Sequence, residues 1–227
     1  MTIHQRTDSD GITHQVWAQR QPASCAIASM WMAKSIAQQM TLAEGEWALA
    51  ARTFSFVVKG FCLGEVALGD WNAVSIPAPQ TFMPSSEKSR QNQNTMANMY
   101  GSFGTSVSQL IAALRAQSLR VELQESKHLL HQLLVTNTPS HHLEPLALPV
   151  DPLKLSDDRP AISFLHWIYQ AHRVGGHFVV AAREARNGRI VFLEPWGGVV
   201  REVPNNGTYP GGGAARGVFS THLYLSA

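Results

Sequence analysis

The pattern of apolar and polar residues has helical spacing in the first half of the chain. Residues 25–39 carry Ala, Ile, Met and Trp without Gly or Pro, and Ser24 is a suitable N-cap, so we predict a buried helix that begins at Cys25. Thr105 is placed to cap a second, amphipathic helix. The apolar face of that helix consists of Val107, Leu110, Ile111 and Leu114. The other elements predicted here are helices at 42–53 and 127–134 and a short strand at 119–123.

In the last third of the chain the apolar residues come in short runs bounded by Gly, Pro and Asn, which is typical of β-strands. The predicted strands cover residues 161–167, 176–183, 189–193, 199–203 and 218–225. Because helices come first and antiparallel strands second, the predicted fold class is α+β. We expect an N-terminal helical lobe, which carries the helix that begins at Cys25, to pack on a C-terminal antiparallel β-sheet lobe.

We expect a single domain over residues 16–227. Residues 16–135 would form the mainly helical lobe, and within it the polar tract 77–98 is predicted to be a mobile surface loop. Residues 136–160 contain five prolines, which forbid a continuous helix and interrupt sheet pairing, so this stretch is interpreted as the crossover between lobes. Residues 161–227 would form the β lobe.

Composition narrows the class of protein. A chain of 227 residues is long enough to bury an apolar core. Its two cysteines can form one disulfide bond at most, which excludes a small scaffold held together by disulfides. The net charge of +2 without a dense Lys/Arg run gives no support for a nucleic-acid partner. No apolar run reaches the ~18 residues of a membrane span, so we expect no membrane partner. The sequence does not indicate an oligomeric state.

The N-terminal residues are polar and lack the apolar core of a signal peptide. We therefore predict that residues 1–15 form a disordered tail. Export through the general secretory route is not expected. The protein is expected to be cytoplasmic or exported by a dedicated secretion system, as a bacterial effector would be.

The candidate chemistry is that of a thiol nucleophile. A cysteine attacks as the thiolate, and a helix N-terminus favours negative charge at the position predicted for Cys25. His177, at the start of an apolar strand, would serve as base and then acid, and Glu194 would fix its tautomer. Gln19 is the candidate side-chain donor to an oxyanion, beside the backbone N–H of Cys25, and Gln21 is its competitor.

These motifs resemble a known family. The stretch from Gln19 to Cys25 with its helix, the run Gly175-Gly176-His177-Phe178-Val179-Val180 and the element Glu194-Pro195-Trp196-Gly197 are similar to papain-like cysteine peptidases of bacterial type, closest to the bacteriocin-leader-processing (double-glycine) peptidases. The resemblance implies a papain-like fold, a peptide or protein substrate and no cofactor or metal. Here Glu194 stands where those families have an Asp-Pro or an Asn-Ser-Trp-Gly element.

The strand register decides whether Glu194 can reach His177. A two-residue turn at Asn187-Gly188 would leave the two residues roughly 14 Å apart along the strands. A four-residue loop at 184–187, with Arg183 paired to Gly188, would place them opposite each other. We predict the longer loop.

Several alternatives stay open at this point. The same nucleophile would serve a thiol acyltransferase, a deamidase or a peptidoglycan amidase, and the same cleft could belong to a non-catalytic peptide-binding module. Cys62 is interpreted as an inert buried thiol, and the glycines at 211–213 as a flexible turn. Trp196 would either shield the His177–carboxylate contact or pack between strands. A zinc site is not expected, although four histidines cluster at His128, His131, His141 and His142.

Overall fold

The computed structural model describes residues 2–19, 25–41, 107–125, 151–156, 159–169, 172–211 and 215–227. Strands and helices alternate little along the chain: two strands come first, then two helices, then strands. The elements in chain order are β1 (Thr2–Thr7), β2 (Thr13–Ala18), α1 (Cys25–Ala37), α2 (Val107–Ala116), β3 (Arg120–Glu125), β4 (Ala161–Tyr169), β5 (His172–Glu184), β6 (Arg189–Glu194), β7 (Val199–Pro204), β8 (Thr208–Pro210) and β9 (Arg216–Ser226).

A seven-stranded antiparallel sheet forms the centre of the described fold. Its strand order is β3-β9-β4-β5-β6-β7, and the short strand β8 pairs with β9 beside this path. Sequential strands β4 to β7 are therefore neighbours in space, as hairpin connections require. The α+β class with an antiparallel C-terminal sheet is confirmed, and each of the five strands predicted in the last third of the chain is present.

Successive residues of a strand point to opposite faces of the sheet, and strands such as β4 and β6 are largely buried on both faces. Ile162 and Phe178 belong to an apolar cluster with helix α1, in which Trp31 is fully buried. Leu165 and Val179 belong to a second cluster, which also contains Phe192, Tyr209 and Phe219. Helix α1 therefore lies against one face of the sheet, and its first residue, Cys25, is held at the edge of that packing.

The prediction of a disordered tail at residues 1–15 is wrong. Strands β1 and β2 form an antiparallel hairpin in which Thr2 pairs with Ala18 and Thr7 with Thr13. One physical reason is a buried carboxylate at the tip: the side chain of Asp8 accepts hydrogen bonds from the backbone N–H groups of Asp10 and Ile12. The other is apolar packing, because Val16 and Trp17 of β2 are fully buried in the cluster that contains helix α1. The hairpin is therefore held by paired polar groups at its tip and by burial of apolar side chains on β2.

Some of the other predicted elements fall on residues that the structure describes, and some do not. The helices that begin at Cys25 and include Val107 are confirmed, as is the strand near residue 120. The predicted helices at 42–53 and 127–134, the tract 77–98 and most of the crossover lie outside the described residues. The lobe boundaries stay predictions. In the described ranges, neither helix is long and apolar enough to cross a membrane.

Candidate active site

His177 and Glu194 are in direct contact. The Nε2 atom of His177 lies 2.6 Å from Oε1 of Glu194, and both residues are buried, at 6% and 3% exposure. The predicted orienting contact between this imidazole and this carboxylate is therefore present. Because Nε2 is engaged by Glu194, Nδ1 is the ring nitrogen left for a second partner.

The register that produces this contact is not the one predicted. Residues 185–188 lie between the end of β5 and the start of β6: Ala185 N–H donates to the Arg189 carbonyl, and Gly188 has the left-handed φ of 76° that closes such hairpin loops. A bulge between Ala181 and Arg183 then shifts the pairing, so that Val180 faces Leu193. Arg183 pairs with Val191 and not with Gly188, so neither the two-residue turn at Asn187-Gly188 nor the loop at 184–187 is correct.

With this register, His177 and Glu194 are diagonal neighbours. Continuing the pairing of Val180 with Leu193 places Val179 opposite Glu194, and His177 is the next residue on the same side of β5. Diagonal positions lie roughly 7–8 Å apart at Cα, within reach of long side chains. The extra methylene of glutamate is what allows the carboxylate to span this diagonal.

The carboxylate of Glu194 is fully engaged by donors. Its Oε1 also accepts the backbone N–H of Trp196 at 2.8 Å, and its Oε2 accepts the hydroxyl of Tyr209 at 2.9 Å. Tyr209 is 1% exposed, and its pKa is raised because burial and the neighbouring carboxylate both disfavour the phenolate. Its hydroxyl therefore stays a donor across the physiological pH range.

The electrostatics of the site favour a protonated imidazole. Burial alone lowers the pKa of His177, but hydrogen bonds to Cys25 and Glu194, together with the charges of both partners, raise it from 6.5 to about 10. This interaction places the Cys25 thiol beside the His177 imidazole. A thiol on one side of the imidazole and a carboxylate on the other are the two partners that a thiolate–imidazolium ion pair needs.

Cys25 is the first residue of α1 and a buried free thiol, 8% exposed. The unpaired N–H groups of the first helical turn surround this position and favour negative charge there. Helix α1 packs against β5, the strand that carries His177. The packing of this helix on this strand therefore positions the Cys25 thiol relative to the His177 imidazole.

Gln19 follows β2 directly and is linked to the site through its backbone. Its N–H donates to the carbonyl of Pro195 at 2.9 Å, one residue after Glu194. The competing candidate Gln21 and the second cysteine, Cys62, lie outside the described residues. The choice between the two glutamines as oxyanion donor stays open.

The tryptophan next to the imidazole is Trp167 and not Trp196. The indole of Trp167 stacks on the ring of His177, with 6.0 Å between centroids and 24° between planes. The side chain of Trp196 is 63% exposed, so it does not pack between strands. Its contribution to the contact between His177 and Glu194 is the backbone N–H described above.

Tyr209 and Trp167 are the site residues that the sequence analysis missed. Tyr209 lies on the three-residue strand β8, which is too short to show alternation. The available signal was Gly217, whose partner in β9 is Tyr209: a Cβ at Gly217 would lie 2.9 Å from the Tyr209 Cβ. A glycine inside a strand indicates this kind of close approach.

Among the described residues, no group of three or more His, Cys, Asp or Glu side chains is arranged to hold a metal ion. The histidines at 128, 131, 141 and 142 lie outside these residues. The groups that the site brings together are the Cys25 thiol, the His177 imidazole and the Glu194 carboxylate.

Comparison with known proteins gives no family assignment: the chain matches no family model, and no curated protein matches it in sequence. The likeness to papain-like peptidases thus remains a resemblance in motifs.

Proposed function

We propose that this protein is a thiol hydrolase, and specifically a cysteine peptidase with Cys25 as nucleophile, His177 as base and Glu194 as the orienting residue. The observation that supports it most is the connected chain from the Cys25 thiol through the His177 ring to a carboxylate with three hydrogen bonds. A structural cysteine needs neither a paired imidazole nor a buried carboxylate behind it.

In the proposed reaction the Cys25 thiolate attacks the carbonyl carbon of the substrate, and the electron pair moves to the oxygen. Collapse of this intermediate forms the thioester and breaks the C–N bond, while His177 gives its proton to the leaving amine. Water, deprotonated by His177, then attacks the thioester and releases the acid and the thiol. Glu194 holds the ring in the orientation needed for both proton transfers.

The oxyanion would be stabilised by backbone and side-chain donors at the N-terminus of α1. The N–H of Cys25 and the side-chain amide of Gln19 are the proposed donors, and a fixed donor of this kind contributes about 10²–10³ in kcat. The link from the Gln19 N–H to the Pro195 carbonyl supports this role because it fixes the position of Gln19 relative to Glu194.

The papain-like architecture is part of the same proposal. A buried helix that begins at the cysteine, followed by an antiparallel sheet that carries a histidine on one strand and a carboxylate at the end of the next, agrees with that fold. The glutamate at the third position is compatible with it because the diagonal register requires the longer side chain.

A substrate-profiling digest with a Cys25→Ala control tests the proposal. Mass spectrometry of a peptide library should show new termini with the wild-type protein and none with the variant. A one-dalton mass increase without cleavage would instead identify a deamidase, and incorporation of an added amine would identify an acyltransferase. A parallel digest of isolated peptidoglycan would identify the amidase if it releases peptidoglycan fragments with the wild-type protein and none with Cys25→Ala.

Labelling with iodoacetamide tests the nucleophile without a substrate. At pH 6, Cys25 should react much faster than Cys62, because Cys25 lies beside His177 and at the start of helix α1, where negative charge is favoured. Equal, slow labelling of both thiols, together with binding of a library peptide to the protein, would support the non-catalytic peptide-binding module instead.

A further inference from the structure

The turn between β6 and β7 controls the orientation of Glu194. It consists of residues 195–198, and the N–H of its second residue, Trp196, donates to Glu194 Oε1. Gly197 and Gly198 have positive φ angles of 81° and 63° in succession. Glycine loses more conformational freedom than any other residue on folding, so this turn needs contacts from outside to keep one conformation.

The N-terminal hairpin supplies two such contacts. From β1, the Nε atom of Arg6 donates to the carbonyl of Gly198 at 2.9 Å, and after β2 the N–H of Gln19 donates to the carbonyl of Pro195 at 2.9 Å. The first and last residues of the turn are therefore both held by the hairpin.

Close packing adds to these hydrogen bonds. A Cβ placed on Gly198 would lie 2.4 Å from Cδ2 of His4 and 3.0 Å from the Cβ of Ala18. His4 lies on β1 and Ala18 on β2, so side chains of both strands border the position that a side chain on this glycine would need. The hairpin fits against the turn with no space for a side chain at this position.

The far end of the hairpin is anchored separately, at the opposite end of the strands. Arg183 donates to the carboxylates of both Asp8 and Asp10 at 2.7 Å, and Glu202 accepts from the N–H and hydroxyl of Ser9. The hairpin is thus fixed to β5 and β7 by contacts that do not involve the candidate site. It can act as a rigid support for the turn.

On the basis of the proposed function, we infer that Arg6 is a positioning residue: its hydrogen bond to Gly198 keeps the turn at 195–198 in the conformation that directs the Trp196 N–H to Glu194. Arg6 acts through the turn and through Glu194 on His177. Loss of the Nε donor lets the turn move, and the carboxylate then holds the imidazole less firmly.

The test compares Arg6→Gln with Arg6→Met. Both remove the charge, and both have similar size, but only glutamine carries an N–H at the bond count of the arginine Nε. The Met variant should lower kcat about fivefold with little change in KM, as expected for one lost hydrogen bond that acts on the chemical step. Its iodoacetamide labelling of Cys25 at pH 6 should slow by a similar factor, and the Gln variant should restore both rates.

Gln5→Met is the matched control, because Gln5 is the exposed neighbour of Arg6 on the same strand. It should match the wild-type protein. The inference is overturned if the Arg6→Met protein labels and turns over like wild type, or if the Met and Gln variants lose rate equally and in step with a lower Tm.

The labelling arm separates this inference from the reaction class. If Cys25 labels fast in the wild-type protein and in Arg6→Gln but slowly in Arg6→Met, while no peptide is cleaved, the positioning role is supported and the peptidase is rejected. Wild-type Cys25 that reacts no faster than Cys62 rejects both.

Discussion

Glu194 contacts His177 along a diagonal of the β5–β6 pair, two residues away from the position directly across from it. Val180 pairs with Leu193, so Val179 faces Glu194 and His177 lies one step further on the same side. The 2.6 Å contact exists because the glutamate side chain is long enough to cross this offset. Side-chain length, and not charge alone, therefore decides which residue can serve at position 194.

This geometry predicts an unusual order among variants of Glu194. Glu194→Gln keeps the length and an oxygen that accepts from His177, so we expect kcat/KM to fall about 10-fold from the loss of a charge-assisted hydrogen bond. Glu194→Asp keeps the charge but falls short of the ring, and we expect a loss of about 100-fold or more, close to that of Glu194→Ala. Steady-state kinetics of the three variants measure this order.

Thermal unfolding of the same three proteins is the control, because each must be folded at the assay temperature. An aspartate variant that is more active than the glutamine variant would contradict the diagonal contact and favour a simple requirement for charge.

The alkaline limb of the pH dependence of kcat should move when Glu194 is replaced by the neutral glutamine. The pKa of His177 is raised to about 10 against the effect of burial, by hydrogen bonds and charges from Cys25 and Glu194. Imidazolium is thus present below about pH 10, and activity that needs it as general acid is lost as the pH rises through that value. In Glu194→Gln one raising contribution is removed, so the alkaline limb of kcat should move to lower pH.

NMR titration of protein labelled with ¹⁵N-histidine follows the same group without a substrate. The His177 ring should titrate near pH 10 in the wild-type protein and at lower pH in Glu194→Gln. Titration of both proteins near pH 6.5 would show that neither Glu194 nor Cys25 stabilises the imidazolium.

Tyr209 should be needed for full activity. Its hydroxyl donates to Oε2 of Glu194, which is 3% exposed, so Tyr209→Phe leaves a buried carboxylate oxygen without this donor. We expect a loss of about 1–3 kcal/mol in stability. We also expect kcat/KM to fall about fivefold, because a carboxylate with one donor fewer holds the His177 ring less firmly. Urea unfolding and steady-state kinetics measure the two effects.

Tyr224→Phe is the matched control for this prediction. Tyr224 is also buried and also uses its hydroxyl, with the Lys154 N–H and the Gln124 side chain, but it is not in contact with the candidate site. It should lower stability without lowering kcat/KM. A fall of kcat/KM of equal size in both variants would show that the Tyr209 effect is general loosening of the core.

Local patterns explain why much of the fold could be predicted. The apolar run from Cys25 without Gly or Pro predicts helix α1, and apolar runs bounded by turn residues predict strands β4 to β7. These signals depend on neighbours in sequence. The order Cys25, His177, Glu194 could be recognised for the same reason, since each lies in a short motif.

What could not be predicted depends on contacts between distant parts of the chain. The register of β5 and β6 is set by a bulge near Ala182, which has no sequence signal of its own. The hairpin at the N-terminus is ordered by Asp8 and Arg183, which are 175 residues apart. Tyr209 reaches Glu194 because Gly217 admits strand β8, and no local pattern shows that pairing.

The buried carboxylate of the hairpin gives the last prediction. Burial by itself raises the pKa of Asp8, but hydrogen bonds from His14, the Ile12 N–H and Arg183 lower it from 3.8 to about 2. A lowered pKa in the folded state stabilises the protein above the unfolded value, so this contribution is complete above about pH 4 and is lost as the pH falls through about 2.

Asp8→Asn should remove this dependence. We expect the free energy of unfolding at pH 7 to fall by about 2–3 kcal/mol, because hydrogen bonds to a charged, buried group are lost. Between pH 4 and pH 2 the variant should lose less further stability than the wild-type protein. Urea unfolding at a series of pH values measures both effects, and Asp151→Asn, at an exposed position, is the control. If the free energy of unfolding of Asp8→Asn changes with pH between 4 and 2 as much as that of the wild-type protein, the Asp8 carboxylate is not what anchors the hairpin. The same hairpin holds the turn next to Glu194.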